Sequence, residues 1–143
     1  MADLFKISDA TALALHSMVH LAGDESGQST TAEISAACDV SRHHLAKVHQ
    51  RLAKAGLIVS QRGPAGGVAL AKDPAHTTLL EIYEAIEGSM DCKPCLFARE
   101  ACPRKGCVLG VLLPNMARQV RTYFEETTLA QLAHESTQGT LAE

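Results

Sequence analysis

Four of the five cysteines fall within sixteen residues, as Cys92-Lys-Pro-Cys95, Cys102 and Cys107. Structural disulfides do not persist in a reducing compartment, so thiols this close together there hold metal or do redox chemistry. The spacing suits zinc only in part, because zinc ribbons pair two Cys-x-x-Cys knuckles and the second is absent. Three or four thiolates on one irregular loop equally hold iron and sulfide. Pro94, Pro103 and Gly106 interrupt any regular helix here, and a loop this long in a small domain needs an ordering agent. Cys92, Cys95, Cys102 and Cys107 are therefore the candidate metal ligands. Cys38 stands apart, and a lone cysteine is expected to be a small core residue.

The compartment follows from the N-terminus, which lacks the basic start, apolar run and small-residue cleavage site of an export signal. No stretch approaches the roughly 18 apolar residues of a membrane span. A soluble, cytoplasmic protein is expected, making no membrane contact. The 143 residues fit one domain, able to bury a core without metal. With 3% aromatic residues and no Trp, that core must be built from Ala, Leu, Val and Ile, which suits packed helices.

The net charge of −3 is unevenly spread. Residues 40–72 carry Arg42, Lys47, Arg51, Lys54, Arg62 and Lys72 with no acidic residue, which leaves 7 basic against 16 acidic elsewhere, a net −9. A charge run alone is a solvated face, so its placement on secondary structure decides what it means.

Ser8 can cap a first helix with Leu15, Met18, Val19 and Ala22 at helical spacing, ended by Gly23, and residues 24–28 form a polar loop. Thr30-Thr-Ala-Glu33 is a capping box opening a short helix through Ile34 and Ala37. A tight link then leads to Ser41, which caps a third helix running to Ala55, so the pair forms a helix-turn-helix. Residues 57–59 and 68–70 read as two strands joined by a glycine-rich reversal, Arg62-Gly-Pro-Ala-Gly-Gly67. Thr78-Leu-Leu-Glu81 caps a helix burying Leu79, Ile82, Tyr83 and Ile86 and ending at Gly88. A long apolar stripe of Leu109, Leu112, Leu113, Met116, Val120 and Phe124 follows the cysteines, with Pro114 either kinking the helix or lying in its first turn. Thr128 caps a last short helix, and a loose tail is expected from Glu135.

The expected fold class is mainly α with a small β-hairpin wing: a winged helix-turn-helix followed by a long C-terminal helix whose apolar stripe needs a partner, as a dimerisation helix would. The expected division is a DNA-binding domain over 1–88, a cysteine loop over 89–107, the dimerisation and C-terminal helices over 108–134, and a tail over 135–143.

On the third helix Leu45, Val48 and Leu52 line one face, while His43, Lys47, Gln50 and Lys54 line another. DNA is bound largely by neutralising phosphates with Lys and Arg, and its sequence is read by side chains entering the major groove. Ser41, Arg42, His43, His44, Lys47, Gln50 and Arg51 are the candidate reading residues. Arg62 would enter the adjacent minor groove, with Gly63, Gly66 and Gly67 bringing backbone close to phosphate. His43, His44 and His49 are expected at the surface rather than as metal ligands.

Ser41-Arg-His-His-Leu45, the wing at 62–67, the helix at 78–88, and three cysteines leading into a long helix together resemble the Rrf-type winged-helix regulators, the family of IscR and NsrR. The resemblance covers about residues 4–134. It implies a palindrome-binding homodimeric transcriptional regulator, acting as a repressor, with a two-iron or four-iron cluster on Cys95, Cys102 and Cys107. Cys92 is additional to that pattern. For the fourth ligand, NsrR-like members use an aspartate from the partner subunit's first helix, which Ser8-Asp9 resembles, so Cys92 or Asp9 could fill that place. IscR-like members use a histidine three residues beyond the last cysteine, where this chain has Gly110. Family members without a cluster sense thiol oxidation or a partner protein, so a zinc or bare-thiol regulator is the alternative. A thiol oxidoreductase would set Cys92 and Cys95 at a helix start after a strand, whereas this pair follows a helix, so no enzymatic activity is expected. An adaptor using its winged helix for protein contacts would show little DNA affinity at low salt.

Overall fold

The computed structural model describes residues 6–63, 66–90, 95 and 105–138. Their order is α1 (Asp9–Gly23), β1 (Gln28–Ser29), α2 (Thr31–Cys38), α3 (Arg42–Lys54), β2 (Ile58–Gln61), β3 (Gly67–Leu70), a 3-10 turn at Pro74–His76, α4 (Leu79–Glu87), α5 (Leu112–Glu126) and α6 (Leu129–Gln138). Among the described residues, no helix is long and apolar enough to cross a membrane.

Local hydrogen bonds start the helices where the sequence places them. Ser8 Oγ accepts from Thr11 N–H, and Ser41 Oγ accepts from His44 N–H, both at 3.2 Å. Thr30 with Glu33, and Thr78 with Glu81, form reciprocal capping boxes. The turn between α2 and α3 is held by Ser35, whose backbone carbonyl accepts from Val40 N–H and whose hydroxyl donates to the Val40 carbonyl at 2.6 Å. Asp39 takes the left-handed conformation that this reversal needs, at φ 52°. Pro114 lies in the first turn of α5, where its missing N–H leaves no intrahelical bond unmade.

The sheet is antiparallel in the order β1-β3-β2, with Ser29 opposite Val68 and Ser60 opposite Val68 on the other side. Sequence reading finds the two-stranded wing but leaves β1 inside a loop, because two residues show no alternation. The third strand depends on Gly67: a Cβ there would stand 2.3 Å from the Ser29 carbonyl oxygen. The wing glycine is therefore required by packing within the chain itself.

The main core joins Leu13, Met18 and Leu21 of α1 to Ile34, Leu45, Val48, Leu52, Ile58, Val68, Ile82, Ile86 and Leu129. A satellite core holds Leu79, Tyr83, Met90 and Phe124, with the Tyr83 and Phe124 rings edge-to-face at 5.7 Å. The expected inner face of α1 needs correction. Thr11, Leu13, Ala14, Ser17, Met18 and Leu21 are buried, whereas Leu15, Val19 and Ala22 are covered only in part. α2, α3, α4 and α6 all pack on α1, so a helix apolar nearly all round has no single inner stripe. The last helix also continues to Gln138, past the expected boundary at 134, because it packs along α1 instead of fraying.

A methyl group at position 67 has no room, so Gly67→Ala should destabilise the protein by about 1–3 kcal/mol in urea unfolding. Gly23, with open space where its Cβ would be, is the control: Gly23→Ala should be neutral or stabilising by up to about 1 kcal/mol.

Candidate functional site

α3 presents two faces of opposite chemistry. Leu45, Val48, His49 and Leu52 are buried, and Arg42, His43, His44, Lys47, Gln50, Arg51 and Lys54 are exposed together with the cap Ser41. Across a groove lined by Ala46, Gln50, Ser60, Gln61 and Gly66 stands the wing, with Arg62 and Gly63 exposed at its end and Gly66 and Gly67 half-buried at its base. Gly63 sits at φ 127°, a conformation other residues resist. Among the described residues no ion pair engages Arg42, Lys47, Arg51, Lys54 or Arg62. Lys72 differs, because its Nζ binds Glu81 Oε1 at 2.5 Å. The structure thus leaves five cations of the basic stretch directed at solvent and neutralises the sixth internally.

His49 is not the surface residue expected from its neighbours. It is 5% exposed, its Nε2 lies 3.3 Å from Ser17 Oγ of α1, and its Nδ1 has no partner among the described residues. Burial holds its pKa below the ordinary histidine value, since a charged ring there would lose water and leave its Nδ1–H without an acceptor among the described residues. His44 is exposed but also lines a groove with Asp9, His16 and Cys38. Burial raises the Cys38 thiol pKa, consistent with a small residue resting against the core.

The cysteine segment begins where α4 ends at Gly88, φ 85°. Glu87 anchors that end: its Oε1 accepts from Ser8 N–H at 3.1 Å, from Thr11 Oγ1 at 2.5 Å and from Ser8 Oγ. Partial burial pushes the Glu87 pKa up, but the bonds from Ser8 and Thr11 outweigh it and the carboxyl lies below its usual value. Nothing in the local sequence marks Glu87, because its partners lie more than seventy residues away.

Cys95 and Cys107 are half-buried thiols on irregular backbone, outside any disulfide, while Cys92 and Cys102 lie outside the described residues. Two thiols so placed fit thiolate ligation by donor type. Among the described residues, no three His, Cys, Asp or Glu side chains gather as a metal site. Asp9 is exposed on the first turn of α1. Gly110, three residues beyond Cys107, takes the left-handed conformation at φ 58°.

The neutral, buried His49 sets a pH dependence. The unfolded chain binds a proton near the ordinary histidine pKa of about 6.5 that the folded chain resists, so the His49 contribution is complete above that pH and declines below it. The drop in unfolding free energy between pH 7.5 and pH 5 should be smaller in His49→Gln than in wild type. An equal drop would remove His49 from the acid response.

Residues 7–135 match the family model described as Rrf2, iron-dependent transcriptional regulator. The HTH-type transcriptional regulator IscR of Yersinia pseudotuberculosis is 29% identical over 123 residues, covering 85% of this chain and 70% of that protein. The structure of CymR, described as the global cysteine regulator of B. subtilis, superposes with a TM-score of 0.78 at 27% identity, covering 91% of this chain and 97% of that one. T. potens IscR shares the fold at a TM-score of 0.74 and 21% identity, over 97% of this chain and 93% of that one. The Yersinia relative is named as an HTH-type transcriptional regulator. An exposed cationic helix beside a wing, on a chain matched over nearly its whole length by that family model, leads to one assignment: the protein belongs to the Rrf2 family of winged-helix DNA-binding transcriptional regulators.

Proposed function

We propose that this regulator is a homodimeric repressor whose grip on a palindromic operator depends on an iron–sulfur cluster sensing nitric oxide, oxidants or iron status. The observation that carries the reading is the continuity from Cys107 into an outward apolar surface. Val108 and Val111 are 66% and 71% exposed, and Leu109, Leu112 and Met116 are also open to solvent. Contiguous exposed apolar side chains mark an interaction surface. A second copy covering it would set two α3 helices on one twofold axis, matching half-sites about one DNA turn apart.

Cys95, Cys102 and Cys107 are the assigned ligands, with Cys92 or Asp9 of the partner subunit as the fourth. An iron–sulfur cluster, when bound, supplies a crosslink between thiolates that oxidants and nitric oxide destroy. Cys95 lies on the α4 side of the segment and Cys107 at the root of α5, so their common attachment fixes the approach to the dimer helix. Reading falls to Ser41, Arg42, His43, His44, Lys47, Gln50 and Arg51. Arg62, Gly63, Gly66 and Gly67 form the wing contact. The likeness to CymR favours one second reading, a regulator of the same fold working through zinc or bare thiols.

Oxygen-free purification with iron, sulfide and zinc assays, followed by operator binding of loaded and stripped protein, separates these readings. Iron and sulfide in comparable amounts, with affinity changing on stripping, support the cluster. Colourless protein with stoichiometric zinc defeats it. Lys47→Ala and Arg51→Ala should weaken binding to all sequences and each flatten the logarithmic salt dependence by about one unit, whereas Gln50→Ala should relax preference at one base position by about 1–3 kcal/mol. Leu112→Asp with Met116→Asp should convert dimer to monomer in sedimentation. A dimer of unchanged strength would exclude that face as the contact.

A further inference from the structure

Met90 stands two residues before Cys92 in the chain. Its side chain is buried in the satellite core with Leu79, Tyr83 and Phe124. Its N–H donates to Glu84 Oε1 at 3.2 Å, and its carbonyl accepts from Arg121 Nη1 at 3.1 Å. Glu84 belongs to α4 and Arg121 to α5, so a single residue is gripped through both of its backbone polar groups by two different helices. Arg121 is itself oriented by Glu125, whose Oε1 accepts from Nε at 2.8 Å one turn further along α5. A guanidinium is a planar fork of fixed donors, so two acceptors on different nitrogens set its plane as well as its place. Phe124, three residues beyond Arg121, lies in the same satellite core, and Ala117, four residues before it, is buried.

We infer that Arg121 is a positioning residue that passes the state of the cysteine segment to α5 by holding the Met90 carbonyl. Displacement of the chain entering Cys92 and Cys95 pulls on that carbonyl, and the bond delivers the pull to the helix leading back to the exposed apolar face. The regulatory meaning rests on the function proposed above, whereas the mechanical link is testable without it. A static staple would contribute to folding and leave α5 indifferent to what the cysteines hold.

The test uses the full chain in a Cys38→Ser background, comparing Arg121, Arg121→Gln and Arg121→Lys by two readouts. In the first, operator affinity is measured for iron-loaded and iron-free protein. Arg121→Gln should keep its iron content and iron-free affinity, while the ratio of loaded to free affinity shrinks by about fivefold or more and Arg121→Lys recovers part of it. In the second, hydrogen exchange across residues 112–126 is followed before and after alkylation of the cysteines with N-ethylmaleimide. Alkylation should change exchange in α5 of the parent protein and not in Arg121→Gln. An α5 response equal in both proteins, or absent from the parent, overturns the inference. If the parent takes up no iron, the cluster proposal fails while the exchange comparison still decides the role of Arg121. Should Arg121→Gln fail to fold, Glu125→Gln carries the same comparison, with a weakened response expected because Arg121 stays but loses its orienting acceptor.

Discussion

Two backbone hydrogen bonds close the chain on itself. Leu79 N–H donates to the Thr127 carbonyl at 3.0 Å, and Leu129 N–H donates to the Thr77 carbonyl at 2.8 Å, joining the start of α4 to the start of α6. Leu129 then enters the main core with no exposed surface, and α6 lies along α1. The cysteine segment and α5 are therefore an excursion that leaves the reading head after α4 and returns to it one element later. Both ends of the excursion are held by the same body. A change inside it has to be taken up by α5 or by the reading head.

That arrangement gives α5 two different ends. Near its C-terminus, Phe124 packs edge-to-face on Tyr83 and Arg121 grips Met90, so this part shares the satellite core with α4. Near its N-terminus, Leu112 and Met116 face outward, continuous with Val108 and Val111 beside Cys107. The helix is anchored where it meets the reading head and apolar where it meets solvent. On the dimeric, cluster-bound reading proposed above, a group held at Cys107 would act on the outward-facing end of α5 while leaving the winged helix-turn-helix intact.

The reading head gains its rigidity from polar contacts that look incidental in one dimension. Ser35 closes the turn between α2 and α3, and Glu87 ties the end of α4 to the cap of α1. Ser17 meets the buried ring of His49 behind the cationic face of α3. With its inner side packed and hydrogen-bonded, α3 presents Arg42, Lys47 and Arg51 from a fixed backbone, and these cations carry no internal counter-charge among the described residues. A backbone already held in place surrenders less freedom when its side chains meet phosphates, which favours binding.

Features legible in the sequence are those whose physics is short-range. Ser8, Thr30, Ser41 and Thr78 cap helices because each bond spans three residues, and Leu79, Ile82, Tyr83 and Ile86 were readable as one buried face because helical geometry repeats every 3.6 residues. The wing hairpin and the cationic face of α3 follow from the same locality. Tertiary structure alone decided the rest. β1 exists because Gly67 lets Ser29 approach, His49 is inside because α1 crosses behind α3, and Arg121 finds Met90 across thirty-one residues. The cysteine spacing suggests ligand chemistry without fixing a ligand set, because which thiols can meet depends on distances between chain segments that no pattern of neighbouring residues encodes.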